Sequence, residues 1–339
     1  MPKDTVMLAT TQWSFRETPP EAMPYSDVFS LEAARAWSKD NVDGNAALLL
    51  RAGEAGADLA VAGEDIASTS YALTYLDDTS IFRTLTAEMS QYARETLGAV
   101  ARERGMYLVA SFFEPEGDAI FNTAALFGRS GEIVGRYHKV HLPVYESWQV
   151  TPGDSFGAFE TDIGVIAMLI CYDDMWPESS AACALNGARI ICHPSAYSPP
   201  EYRVRCRAMD TQVFYITSTH AGSRIAAPDS TILADAGDAR DTFVIAQADI
   251  AGASLAPVNY WEYLYSGIRD HRERHLKLRR PDAYHPIVNP TPPALRAYGP
   301  EGPATSPEMI REVYEKQKED YRRGLRGEKQ LYTWKWSQR

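Results

Sequence analysis

No apolar run in the 339 residues approaches the roughly 20 needed to cross a bilayer, so no membrane association is expected. The opening MPKDTVMLATTQWSF lacks the apolar core that follows the basic residue of a secretion signal. Cysteine is scarce and unevenly placed: Cys171, Cys183, Cys192 and Cys206 crowd into one segment, where a secreted disulfide framework would spread them, so reduced thiols are expected. No N-x-S/T sequon with a permitted middle residue occurs. Together these absences point to a soluble, cytoplasmic protein. Positive charge is also short, with 34 Lys and Arg against 45 Asp and Glu and a formal net charge of −11. A nucleic-acid partner, whose affinity rests on many cation–phosphate contacts, is therefore not expected, and a small neutral or cationic substrate fits better. With no P-loop and no G-x-G-x-x-G, a nucleotide cofactor has no support either.

What is present is an ordinary globular composition, 45% hydrophobic and 23% charged, with a repeating helix-then-strand pattern. Residues Asn41 to Gly56 have helical apolar spacing and lead into ADLAVAGE, a short buried strand that leaves Glu64 at its end. A second helix, Ser80 to Arg104 with Gly105 as its stop, leads into the strand MYLVASFFE. NTAALFGRSGEIVGRYHKVHLP reads as two strands joined at Arg129-Ser130-Gly131, with Lys139 near the end of the second. IGVIAMLI reads as a strand buried on both faces that delivers Cys171. Behind it a helix is expected, capped by Asp173 or Asp174, with Pro177 in its first turn and Gly187 as its stop. ARIICHPS, RVRCRAMDTQ and VFYITSTH then read as strand, helix and strand. Beyond Ala256 the pattern loosens into a charged helix around DHRERHLKLRR, a Pro-rich connector and a helix starting near Pro307.

A cysteine after an apolar strand is most often a small core hydrophobe. At a strand-to-helix junction, though, the helix dipole favours thiolate, and the N–H of Tyr172 can face a developing oxyanion. Glu64 alone reads as a loop carboxylate, and Lys139 alone as a solvated edge-strand lysine. Together, at three strand ends, they supply the base, cation and nucleophile that acyl transfer needs. Rival motifs fit their context less well. Gly153-Asp154-Ser155-Phe156-Gly157 matches a serine elbow but follows Thr-Pro, not a strand. His271 and His275 stand at i and i+4 without the HExxH pattern of a metal site, and the basic run from Arg272 to Arg280 is broken by Glu273, His275 and Leu276. Both read as a solvated helix face.

GADLAVAGE, GRYHKVHLP and GVIAMLICYDDMWPE resemble the three signature blocks of the nitrilase, or carbon-nitrogen hydrolase, superfamily, in its order and at about its spacing. RRPDAY also resembles it, so the match spans most of residues 5 to 285. The resemblance implies an α/β fold, a four-layer α-β-β-α sandwich of the nitrilase type with a C-terminal extension. A hydrolase domain over 1–285 would be followed by the extension over 286–339. It further implies a Glu64-Lys139-Cys171 triad with no metal and no cofactor, a second glutamate matching Glu146, and homodimers or larger homo-oligomers. Residues 13–40 and about 66–80 look longer than the usual connections and are candidates for a lid.

Cys171-Tyr172-Asp173 resembles the amidase and carbamoylase branches, where the nitrilase branch proper tends to place Trp-Glu after the cysteine. The expected partner is a small amide or carbamoyl substrate, with a nitrilase and a non-catalytic binding or assembly protein as alternatives. Carbamoylases place arginines just after the nucleophile to grip a carboxylate, whereas this chain has Asp174 and Met175 there. Asp174 is thus a candidate hydrogen-bond acceptor for substrate, Tyr172, Trp176, His193 and Tyr197 are candidates to line the pocket, and Arg203, Arg205 and Arg207 remain as possible anion-binding cations. In the extension, Ile310, Val313, Tyr314 and Tyr321 fall near one helix face, followed by Tyr332, Trp334 and Trp336, a stripe expected to pack on a neighbouring subunit.

Overall fold

The computed structural model describes residues 5–252, 267–268, 270–297 and 306–324. Contacts divide the chain into two units, Met1–Ala256 and Pro257–Arg339, and the 286–339 extension falls wholly in the second. In the first unit, one six-stranded sheet has the order β12 (Thr242–Asp249), β1 (Thr5–Gln12), β2 (Leu59–Val61), β3 (Tyr107–Glu116), β4 (Ala119–Phe127) and β5 (Ile133–His138). The other has the order β11 (Ile232–Asp235), β10 (Arg224–Ala226), β9 (Phe214–Ser218), β8 (Ile190–Pro194), β7 (Gly164–Met168) and β6 (Ala158–Thr161). In each, three central strands run parallel, β1–β2–β3 and β7–β8–β9, and the outer pairings are antiparallel.

Alternation along the strands builds the layers. Val6, Leu8, Leu59, Val61 and Val109 join the core shared with the second sheet, where Ile166, Ile190 and Ile216 lie. The intervening Ala9, Ala60, Ala62, Leu108 and Ala110 face Val42, Leu49, Met89 and Leu97 of helices α1 (Leu31–Glu54) and α3 (Ser80–Arg104). On the second sheet, α4 (Pro177–Leu185) packs against β7 and α5 (Glu201–Thr211) against β9. The result is a four-layer α-β-β-α sandwich. Each leucine buried between layers contributes about 1.5–3 kcal/mol. Polar bonds fix the sheets against each other: Thr10 Oγ1 donates to Thr217 O at 3.0 Å and Ser218 Oγ to Thr11 O at 2.7 Å.

Every residue of β8 and β9 is buried, as their continuous apolar runs imply. The expected 80–104 helix is present, closed by Gly105 in the left-handed region at φ 60°. One helix differs from expectation: α1 begins at Leu31, ten residues before Asn41, where the Ser30 hydroxyl accepts the Ala33 N–H as N-cap. Residues 31–40 are therefore helix. The remaining long connections pack on each other. Ala22, with Ala72 and Leu73 of the short helix α2 (Ser70–Leu73), Phe82, Leu85 and Val150, forms a separate apolar cluster, and the Tyr25 hydroxyl donates to Thr74 O at 2.8 Å. Leu142 and Tyr145, just before Glu146, rest on this cluster, so it buttresses the loop that bears Glu146.

In the second unit, α6 (His271–Lys277) is capped by the Asp270 carboxylate and α7 (Pro307–Arg322) by the Ser306 hydroxyl, with a proline in the first turn as the sequence suggested. On α7, Tyr314 is buried while Val313 is exposed. Tyr332, Trp334 and Trp336 lie outside the described residues.

Gly153, read from sequence as part of a serine-elbow pattern, has a packing reason. A Cβ there would lie 2.2 Å from His138 O, and the Gly153 N–H donates to Lys139 O at 2.8 Å. Gly153→Ala must displace the backbone at the end of β5. It is predicted to destabilise the protein by about 1–3 kcal/mol in urea unfolding, whereas an unchanged midpoint would show that the contact relaxes freely.

Candidate active site

Glu64, Lys139 and Cys171 follow the C-terminal ends of β2, β5 and β7, and the two sheets bring them together. The Lys139 backbone is held on both sides, its N–H donating to Asn122 O at 2.9 Å and its carbonyl accepting from Gly153. Lys139 is 1% exposed, and its ammonium donates to Glu64 Oε1 at 2.8 Å and to Glu146 Oε1 at 2.7 Å. Glu64 Oε1 also accepts from Asn122 Nδ2 at 2.9 Å, and Oε2 accepts the Ala196 N–H at 2.8 Å. Asn122 is oriented in turn by the Ser111 hydroxyl, which donates to its Oδ1 at 2.8 Å. Leaving any of these ions unpaired would cost several kcal/mol of desolvation, so the cluster stands or falls as a unit.

Three opposing charges set the protonation states. Burial alone would lower the Lys139 pKa, but Glu146 and Glu64 outweigh it and hold the ammonium well above its ordinary value. Burial would raise Glu64, yet the charge and hydrogen bond of Lys139, with the Ala196 N–H, keep it below the ordinary carboxylate range. Glu146 shares the same lysine with fewer donors. Burial, reinforced by the negative charge of Glu64, outweighs the pull of Lys139 and Asn122 and pushes it up to about 7.

Cys171 sits where β7 breaks, at φ 45°, a left-handed conformation that costs a non-glycine residue on the order of 1–2 kcal/mol. Neighbouring bonds enforce it. His193 Nε2 lies 3.0 Å from Cys171 O, and because a carbonyl only accepts, Nε2 carries the proton and Nδ1 accepts from Thr217 Oγ1 at 3.1 Å. The fully buried Asp173 carboxylate accepts the Ile170 N–H at 3.0 Å, the Tyr137 hydroxyl at 2.7 Å, and both the N–H and Nδ1 of His141 at 2.9 Å. Since His141 lies two residues beyond Lys139 and Asp173 two beyond Cys171, this carboxylate ties the two loops together. The thiol itself is within hydrogen-bonding reach of the Glu64 carboxylate and the Ser195 hydroxyl.

Two expectations at the cysteine are corrected. Cys171–Met175 forms its own short 3-10 turn, and α4 starts only at Pro177 with no side-chain cap, so neither Asp173 nor Asp174 caps that helix. Nor is a resting thiolate favoured. Burial and then the Glu64 charge push the Cys171 thiol up to about 12, which leaves a thiol beside a carboxylate.

The residues read as pocket lining have different fates. Tyr172 is partly exposed and meets Trp176 edge-on at 5.0 Å, while Trp176 stacks on His141 at 4.0 Å. His193 is fully buried and holds the Cys171 carbonyl, and Tyr197 follows directly on Ala196, the Glu64 partner. Asp174, expected to meet substrate, is 1% exposed and lies against Arg203, Arg207 and the Tyr215 hydroxyl, so it is not open to a ligand. Ser155 of the serine-elbow pattern bonds only its neighbour Asp154. His271 Nε2 accepts from Arg274 Nη2 at 3.0 Å, and among the described residues no group of three or more His, Cys, Asp or Glu could hold a metal. Sequence reasoning missed Asn122, Asp173, His141 and the Ala196 N–H. Asn122, an amide in a largely apolar strand, was the one available signal.

Comparison with known proteins identifies the family and the fold. The carbon-nitrogen hydrolase family model matches residues 29–258. A nitrilase of Pyrococcus abyssi is 32% identical over 166 residues, covering 44% of this chain but only 62% of that protein's length. Omega-amidase NIT2-A of Xenopus laevis is 28% identical over 239 residues, 62% of this chain and 83% of that protein. Among solved structures, a carbon-nitrogen hydrolase from Helicobacter pylori superposes with a TM-score of 0.67 at 20% identity, covering 84% of this chain and 99% of that one. With the family model matched over more than half its length and the same layered fold, the chain belongs to the carbon-nitrogen hydrolase family, of the nitrilase superfamily.

Proposed function

We propose that this chain hydrolyses a small non-peptide carboxamide to the carboxylic acid and ammonia through a thioester on Cys171. The observation that carries the reading is the Glu64 carboxylate, buried and ionised, set between the Lys139 ammonium and the Cys171 thiol. A thiol raised to about 12 is a poor nucleophile until its proton leaves, and Glu64 is placed to take it as the sulfur attacks the carbonyl carbon. The tetrahedral oxyanion then meets Lys139 Nζ and the Tyr172 N–H. Glu64 returns the proton to the departing nitrogen, ammonia leaves, and the acyl group stays on sulfur. Water, losing its proton to the same carboxylate, adds to the thioester and releases the acid and the thiol.

An amide is favoured over a nitrile by Glu146. Its carboxyl, held near 7 and bonded to Lys139, stands beside the proton-transfer pair, where an amide NH2 can donate to it and a nitrile offers no donor. The residues after the cysteine and the omega-amidase among the relatives support the same choice.

Three outcomes follow. In an ammonia-release screen, short carboxamides should be turned over well ahead of nitriles and N-carbamoyl compounds, and the reverse order would contradict the amide reading. Added hydroxylamine should divert product to the hydroxamate, since it competes with water for the thioester. Exclusive formation of the acid at high hydroxylamine would argue against a covalent intermediate. Glu146 gives a pH test. Because its carboxyl rises from 4.5 to about 7 on folding, the native chain holds a proton in that window that the unfolded chain has lost. Wild type should therefore lose stability relative to Glu146→Gln as pH climbs from 5 to 8, by about 3 kcal/mol. Parallel stability curves for the two proteins would refute the assignment.

A further inference from the structure

We infer that the water that cleaves the thioester is held in a small cavity on the flank of Glu64, positioned there by Asn45 and His220, an inference that rests on the proposed amide hydrolysis. The cavity lies where β1, β2 and β9 end and α1 passes, and it is bordered by Trp13, Asn45, Glu64, Asp65, Thr219 and His220. Its volume is about 10 Å3, room for a single water. Glu64 is the link to the chemistry, because its carboxylate also reaches the Cys171 thiol.

Most of the polar groups on the cavity wall are engaged elsewhere. The Asp65 carboxylate accepts from the Ser70 N–H at 2.7 Å and the Thr69 hydroxyl at 3.2 Å. The Thr219 hydroxyl donates to Ala221 O at 2.6 Å, and the Trp13 indole donates to Asn41 Oδ1 at 3.1 Å. Asn45 and His220 each keep an acceptor. Asn45 is 2% exposed; its Nδ2 donates to Asn41 O at 2.9 Å, while its Oδ1 has no hydrogen-bond partner among the described residues. His220 Nδ1 lies 2.8 Å from Trp13 O, and because a carbonyl only accepts, Nδ1 carries the proton and Nε2 is a bare acceptor. Burial keeps this imidazole below its ordinary value and therefore neutral at pH 7, and Phe15 braces the ring edge-on at 5.8 Å.

A buried acceptor without a donor is costly, and a water has two protons to give. Once the sulfur is acylated, the thiol proton no longer occupies Glu64, and the freed lone pair takes one water O–H. The other O–H goes to His220 Nε2 or Asn45 Oδ1, which fixes the orientation of the oxygen. As that oxygen bonds the carbonyl carbon, Glu64 takes its proton. The C–S bond then breaks and the proton passes from Glu64 to the sulfur, which restores the thiol and releases the acid. Asn45 and His220 are thus positioning residues for the second half of the reaction alone.

The test uses a short carboxamide and one fixed concentration of hydroxylamine, and compares wild type with Asn45→Leu, His220→Asn and His220→Gln. Leucine matches asparagine in size without its acceptor. Asparagine at 220 keeps an N–H for Trp13 O but has no atom in place of Nε2, where glutamine puts an amide oxygen. Asn45→Leu and His220→Asn should raise the ratio of hydroxamate to acid roughly 10-fold, because water attack slows while hydroxylamine attack does not. First-turnover ammonia release should shift by less than about threefold, and His220→Gln should bring the ratio back toward wild type. An unchanged ratio in Asn45→Leu and His220→Asn would overturn the inference, as would equal slowing of ammonia release and acid formation. A wild type that forms no hydroxamate would instead sink the proposed thioester, and this inference with it.

Discussion

One ammonium group neutralising two buried carboxylates is the constraint on which the rest of the site depends. Lys139 cannot enter the space between the sheets without Glu64 and Glu146, and neither carboxylate can stay there charged without Lys139. Because Glu64 collects three further aids, from Asn122, the Ala196 N–H and the thiol, it wins the competition for the negative charge, and Glu146 is left near 7. Two glutamates on the same lysine thus come to differ in character. The better-donated one is suited to proton transfer and the other to accepting a hydrogen bond.

That cluster needs its loops in register, and the fold supplies this by backbone contacts around it. Lys139 is gripped by Asn122 and by a glycine that alone permits the approach of residue 153. Asp173 joins the strand end and loop around Lys139 to the turn after Cys171 through three hydrogen bonds, one from Tyr137 and two from His141. With these in place, Cys171 is kept in a left-handed conformation that an unsupported chain would relax. Strain in the turn and burial of the charges are therefore maintained by the same layer of contacts.

Much of this was legible in the amino-acid order. The buried strands, the α3 helix with its glycine stop, and the placement of Glu64, Lys139 and Cys171 at strand ends follow from apolar periodicity and turn residues alone. The first ten residues of α1 were not legible, because LEAARAWSKD has no clear apolar face. In the fold Gly44 makes room for the Trp13 ring, which a Cβ would meet at 2.1 Å. The protonation state of Cys171 was misjudged for a physical reason: a helix dipole was assumed where there is a single short turn, and the charge of a neighbouring carboxylate was not counted. Asn122, Ala196 and Asp173 act through tertiary hydrogen bonds between segments far apart in the chain, which no local pattern encodes. The same holds for Asp174, whose two arginine partners lie on another helix.

The account turns on a covalent acyl group carried by Cys171. The direct measurement is rapid-quench mass spectrometry of the wild-type protein during turnover of a short amide, followed by peptide mapping. The account predicts a mass increase equal to the acyl group, confined to the peptide containing Cys171. Continued ammonia release with that peptide unmodified, or with the adduct on Cys183, Cys192 or Cys206, would contradict it.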